Sequence, residues 1–192
     1  MPKALIFDFA GVITKSDAYW DWVNECVGDA EAKKEIFEKL SEDVDSAAIS
    51  HDEFMNGLSR AAGISREMIW PEVRKRFLLN EELLEMIAEL RRQYKTGILS
   101  NFTEPWIREL IADFDLAKHF DKILVSSCEK ISKPNPRFFE RMLNALTVRP
   151  DESIFFDDKK RHVEAAKRIG IRAFLFTTNE ELKKDLASCG IF

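Results

Sequence analysis

Apolar positions along the chain change their period twice, and the changes divide it into three stretches. The first, Ala4-Leu5-Ile6-Phe7-Asp8-Phe9, is an unbroken apolar run except for Asp8, the pattern of a fully buried strand. Gly11 just beyond it marks a turn. From Ser16 to Leu79 the spacing is helical. Tyr19, Trp20, Val23 and Val27 make one stripe, and Ile36, Phe37 and Leu40 another. Ser50 followed by Glu53 predicts a capping box ahead of Phe54, Leu58 and Ala61, with Gly63 as the stop. Ser65 opens a further helix through Ile69, Val73 and Phe77. After that, short apolar runs at 96–100, 122–126, 153–157 and 172–176 alternate with helical patterns at 83–90, 106–114, 136–146, 162–169 and 180–186. Strands alternating with helices of this length predict an α/β fold, a Rossmann-like parallel sheet with helices on both faces. The helical block is then an insertion after the first strand.

The polar residues of these strands fall at their carboxyl ends: Asp8, Ser100, Ser126 and Asp157. Open α/β sheets bind ligands at that edge. Each residue alone has an ordinary reading. Asp8 can end a strand as a turn residue. Ser100-Asn101 can cap the next helix. Lys133-Pro134 is a common loop dipeptide, and Asp157-Asp158 can favour a helix N-terminus. Four such signals in this order are also what phosphoryl transfer needs. A carboxylate nucleophile needs a cation to approach a phosphate dianion, and a second carboxylate to hold that cation. Hydroxyl and amide groups then bind the non-bridging oxygens, and a lysine offsets the charge.

Taken together, Phe7-Asp8-Phe9-Ala10-Gly11-Val12-Ile13-Thr14, Leu99-Ser100-Asn101, Lys133-Pro134-Asn135-Pro136-Arg137-Phe138-Phe139 and Phe155-Phe156-Asp157-Asp158 resemble the four ordered motifs of the haloacid dehalogenase superfamily. The resemblance covers nearly the whole chain. It implies an α/β core at 1–14 and 80–192, and an α-helical cap at 15–79. It further implies a Mg²⁺-dependent phosphatase that acts on a small phosphomonoester through an aspartyl-phosphate on Asp8. Asp8, Asp157 and the Ala10 carbonyl would bind Mg²⁺. Ser100 and Asn101 would hold the phosphate, Lys133 would neutralise it and position Asp8, and Asp158 would order the metal's surroundings. The cap would choose the substrate, with Trp20 packing its helices and Tyr19 and Trp22 as candidates to line a pocket.

One position departs from that pattern. Most phosphatases of the superfamily carry a second Asp two residues after the nucleophile, where this chain has Ala10. That Asp moves the proton to the leaving oxygen, and such catalysis is worth roughly 10²–10⁴ in rate. A small residue there also occurs in some phosphatase-like branches and in 2-haloacid dehalogenases. A dehalogenase using the same Asp, or a weakened fold kept for binding, are therefore the alternatives. His162 stands where similar chains carry Asn, and reads as the start of a helix. Cys128 stands where they often carry an acid.

Composition narrows the partners. Of the 192 residues, 45% are hydrophobic and 33% charged, and 15 are Phe, so the chain can bury an aromatic core. A net charge of −5 argues against nucleic acid; Lys159-Lys160-Arg161 reads as a solvated helix start. Cys26, Cys128 and Cys189 are scattered without a paired motif, as in reduced thiols of a cytoplasmic protein. The opening apolar run is too short for a signal sequence, and no run approaches the ~20 residues of a membrane span. His51, His119 and His162 lack metal-ligand spacing, which predicts no zinc site.

Overall fold

A computed structural model describes residues 1–27 and 30–191. Among them, β1 (Ala4–Phe7), β2 (Lys95–Ser100), β3 (Lys122–Val125), β4 (Ser153–Asp157) and β5 (Arg172–Leu175) form one parallel sheet in the order β3-β2-β1-β4-β5. The chain runs outward from β1 to β3 and then returns to lay β4 on the other side of β1. The crevice above β1 and β4 is therefore the topological switch point, where sheets of this kind take their ligands. Phe7 pairs with Phe156, so the next residue on each strand, Asp8 and Asp157, emerges side by side.

Alternation along the strands gives the sheet two cores. Leu5, Phe7, Ile98 and Phe156 face a layer that includes α5 (Glu81–Leu90), α6 (Glu104–Asp113) and α10 (Asn179–Ser188). Ala4, Ile6, Leu99 and Phe155 face α8 (Pro136–Leu146) and α9 (Lys160–Arg168). On the first face Phe7 stacks on Phe156, and Phe156 on Phe174, at centroid distances of 5.6 and 5.7 Å. The sheet is thus covered on both sides, as the strand–helix alternation predicted.

Between β1 and α5 come α1 (Ala18–Val27), α2 (Glu31–Asp45), α3 (His51–Ala62) and α4 (Arg66–Arg74), which pack on one another. The predicted capping box at Ser50 and Glu53 is present, and Gly63 ends α3 in the left-handed conformation. The segments that enter and leave this block run side by side. Thr14 bridges Leu79, Lys15 donates to the Leu78 carbonyl at 2.8 Å, and Asn80 donates to the Ile13 carbonyl at 3.0 Å. The block also touches the sheet domain directly: Trp70 of α4 stacks on Trp106 of α6 at 4.7 Å, and Arg74 Nε donates to Asp113 at 2.9 Å.

Several expectations shift. The first strand ends at Phe7, and Phe9–Ile13 forms a wide single turn in which Gly11 takes φ +78°. The third strand stops at Val125, and Ser126 opens the short helix α7 (Ser126–Glu129). Its hydroxyl accepts from Phe102 N at 3.0 Å, so Ser126 ties loops together and does not face the crevice. Ile36 is 49% exposed, leaving Phe37 to anchor its helix.

Candidate active site

The turn after β1 aims Asp8 back at the sheet edge, where its Oδ1 accepts from Phe9 N at 2.7 Å. Gly11 permits this turn. Its φ disfavours a side chain, and a Cβ there would lie 2.7 Å from Asp158 Oδ2. Lys133, in the loop before α8, is 2% exposed and spans the two strand-end carboxylates. Its Nζ lies 2.8 Å from Asp8 Oδ1 and 2.7 Å from Asp157 Oδ2. Asn101 fixes that loop in both directions: Lys133 N donates to Asn101 Oδ1 at 2.8 Å, and Asn101 Nδ2 donates to the Lys133 carbonyl at 2.9 Å. One amide hydrogen of Asn101 is left for a ligand. Ser100 is buried, and its Oγ has no hydrogen-bond partner among the described residues.

Two buried carboxylates sharing one ammonium do not carry charge equally. Burial opposes ionisation of Asp157, yet Lys133 and His162 overcome it and hold this carboxyl well below the usual range. The backbone N–H of Lys159 adds a further bond at 2.8 Å. Asp8 has burial and the neighbouring Asp157 charge against it, only partly offset by Lys133, and is pushed up to about 8. Burial also works against the Lys133 ammonium, but Asp157 and Asp8 outweigh it and keep Lys133 above the ordinary lysine value. The arrangement is short of positive charge by about one unit, the condition in which a bound cation restores both carboxylates to the ionised form.

The donor set suits a hard cation. Carboxylate oxygens of Asp8 and Asp157 converge within 4.8 Å, together with His162 Nδ1. Asp158 is close by, and its Oδ1 is buried without a partner among the described residues. Oxygen donors in this number favour Mg²⁺ over softer ions. His162 Nδ1 is already spent on Asp157, at 3.0 and 3.1 Å from its two oxygens, while Nε2 is buried without a partner among the described residues.

His162 corrects the reading of that position as a mere helix start. α9 brings its ring, 1% exposed, under Asp157. Burial lowers it to about 4, so the imidazole is neutral at physiological pH and braces Asp157. No histidine spacing in the sequence revealed this, because its partner is a carboxylate five residues back and not another histidine. Lys159 is likewise no solvated helix start. It is half-buried, its Nζ lies 3.4 Å from Asp17, and it lines the crevice.

A cavity of about 700 Å³ opens above these residues. Asp8, Ala10, Asn101 and Lys133 form its floor, and the helical block forms its roof. The aromatic expectations are reordered. Trp20 lines the cavity beside Tyr19, whereas Trp22 is 2% exposed and packs edge-on against Phe37 at 5.8 Å. Tyr19 holds its place by donating to the Phe37 carbonyl at 3.1 Å. In α1 residues 19, 22 and 23 share the inward face, which leaves residue 20 at its border with the cavity. The roof also supplies carboxyls that sequence reading passed over, Asp17 and Asp45 among them. They lie in ordinary polar stretches, and only the packing of α1 and α2 turns them toward the crevice. Cys128 is exposed and outside the cavity lining, and burial with nearby Glu104 and Glu129 raises its thiol above the ordinary value. Among the described residues no helix is long and apolar enough to cross a membrane.

A family model for haloacid dehalogenase-like hydrolases matches residues 2–170. The chain is 26% identical to a D-ribitol-5-phosphate phosphatase of Bacteroides thetaiotaomicron, over 97% of both chains. It superposes with a TM-score of 0.77 on a HAD family enzyme of the same organism in complex with magnesium and inorganic phosphate; identity is 20%, covering 93% of this chain and 96% of the other. An L-2-haloacid dehalogenase of Xanthobacter autotrophicus superposes with a TM-score of 0.70 at 20% identity, over 100% of this chain and 85% of the other. At such identities the two superpositions are likenesses of fold.

Proposed function

Since the chain belongs to the haloacid dehalogenase-like hydrolase family, we propose that it is a Mg²⁺-dependent phosphatase acting on a small phosphomonoester, with Asp8 as nucleophile. The observation that carries this reading is the buried Asp8–Lys133–Asp157 group at the switch point, under a cavity sized for a small metabolite. Asp8 and Asp157 would hold Mg²⁺ with the Ala10 carbonyl, and Asp158 would order its surroundings. The bound ion supplies charge neutralisation, so that an anionic nucleophile and a phosphate dianion can meet. The Ser100 hydroxyl and the free Asn101 amide hydrogen would donate to the phosphate oxygens, and Lys133 would face the developing charge. Asp8 then forms the aspartyl-phosphate, and water releases it. Residues 1–14 and 80–192 would be the catalytic unit, and 15–79 a lid whose acidic and aromatic roof selects the substrate.

Attack of Asp8 on the carbon of a 2-haloacid is the second reading, favoured by Ala10. A displacement at carbon gives no use to a second carboxylate braced beside the nucleophile, and Asp157 has three such braces. The test is a panel of phosphate esters and haloacids with and without Mg²⁺, on the wild type and Asp8→Asn. Phosphate release that needs Mg²⁺ and falls on the order of 10³-fold or more in Asp8→Asn is expected. Halide release indifferent to chelation would replace this reading with the dehalogenase.

A further inference from the structure

Ala10 leaves the floor of the cavity without a proton donor for the leaving oxygen, and the roof contains one. Asp45 is the last residue of α2 and lines the same cavity as Asp8 and Ala10. Among the described residues no hydrogen bond or ion pair reaches its carboxyl, in contrast to Asp17, Asp43 and Glu42; Glu38 of the same helix is also unpaired but is exposed. Asp17 is next to Lys159, Asp43 is paired with Lys39, and Glu42 lies 3.9 Å from Arg161. We propose that Asp45, delivered by the helical roof, is the general acid that protonates the leaving group and then the base that activates water, in place of the missing carboxyl at position 10. The proposal rests on the phosphatase reading above.

The surroundings suit the task. Lys159 and Arg161 at the start of α9, Lys133 from the floor, Asp17 just before α1 and Tyr19 in it are the charged and titratable groups nearest Asp45. Burial outweighs the cations and pushes Asp45 up to about 7, so it is partly protonated at neutral pH. Asp17 is raised as well, by burial, but the Lys159 ammonium and the Trp20 backbone N–H oppose that rise and favour its charge. Glu42 and Asp43, on the same helix as Asp45, are tied to cations and stay outside the proton path. His162 is buried and its Nδ1 bonds Asp157, while burial holds the imidazole neutral, so it carries no spare proton at neutral pH.

The proton ledger closes. An Asp8 oxygen forms its bond to phosphorus as the ester P–O bond breaks, and the leaving oxygen takes the Asp45 proton to depart as an alcohol. Water then attacks phosphorus and gives one proton to Asp45. Its other hydrogen leaves on inorganic phosphate, and Asp8 is released as a carboxylate. Acid and nucleophile are both restored.

The experiment compares kcat/KM for an alkyl and an aryl phosphate, from pH 5 to 9 with saturating Mg²⁺, in wild type, Asp45→Asn and Asp45→Asn/Ala10→Asp. Aryl oxide leaves as a stable anion and needs little protonation. In Asp45→Asn the alkyl value should fall roughly 10²–10⁴-fold and the aryl value far less. The wild-type alkyl profile should decline as pH rises through about 7, and the double variant should recover alkyl turnover. Equal losses on both substrates, or no loss, would overturn the proposal. If Asp45→Asn does not fold, the wild-type profiles decide: an alkaline decline confined to the alkyl ester supports Asp45, and one shared by both esters refutes it. A wild type inert on every ester sinks the phosphatase reading itself, an outcome distinct from all of these.

Discussion

Replacing Lys133 by Met keeps most of the apolar stem and removes the only cation in direct contact with both Asp8 and Asp157 among the described residues. Its ammonium and the Asp157 carboxylate are fully buried, and Asp8 nearly so. At an effective dielectric of about 20, each contact at these distances is worth about 6 kcal/mol before desolvation. Burial of the ammonium takes back several kcal/mol, and removing one partner of a buried group typically costs about 3–5 kcal/mol net. Against a total stability of ~5–15 kcal/mol the variant still folds. The loss should depend on pH with a defined sign. Without Lys133 the carboxyls gain protons in the folded state, so their folded values lie above the unfolded value of 3.8. Stability then falls as pH rises through that window. The penalty is expected to be largest near pH 8 and smallest near pH 5. Urea unfolding of both proteins in chelator, repeated at pH 5 and pH 8, measures it. Added Mg²⁺ should return part of the loss at pH 8, because a cation bound by the folded state stabilises it. A penalty under ~1 kcal/mol, or one that grows toward acid, would refute the account of the site as two carboxylates balanced on one lysine.

Two further substitutions probe residues just behind the cavity lining. Ser100→Ala removes a hydroxyl that has no partner among the described residues, so stability should change by less than about 1 kcal/mol. Inhibition by inorganic phosphate should nonetheless weaken several-fold, and an unchanged inhibition constant would take Ser100 out of the phosphate site. Gly11→Ala puts a Cβ 2.7 Å from Asp158 Oδ2 at a backbone φ of +78°. It should cost about 1–3 kcal/mol and raise the Mg²⁺ concentration needed for half-maximal activity, read from urea melts and a metal titration.

Much of the site was legible because it sits on regular elements. An apolar run ending in Asp, repeated at 4–8 and 153–157, places two carboxyls at strand ends whatever the order of the strands. Ser100 closes β2 in the same way, whereas Asn101 lies one residue beyond that strand and Lys133 in a loop, so their roles came only from the resemblance; Asn101 spends much of its amide on the Lys133 backbone. The two tryptophans exchange their expected roles. Residues 20 and 22 point to different sides of α1, and which side meets the cavity depends on how α1 packs against α2.

By itself the sequence determined the elements, the α/β class, the helical block and the polar strand ends, because these follow from local periodicity and from the caps at Ser50 and Gly63. What only the tertiary structure decided is adjacency. The return of the chain to β4 beside β1 puts Asp157 next to Asp8, and the loop clamped by Asn101 drops Lys133 between them. α9 slides His162 beneath Asp157, and the packed roof brings Asp45 into the cavity that Ala10 also lines. A titratable group takes its protonation from the burial and the charges around it. His162, Lys159 and Asp45 therefore had no readable chemistry until residues distant in sequence surrounded them.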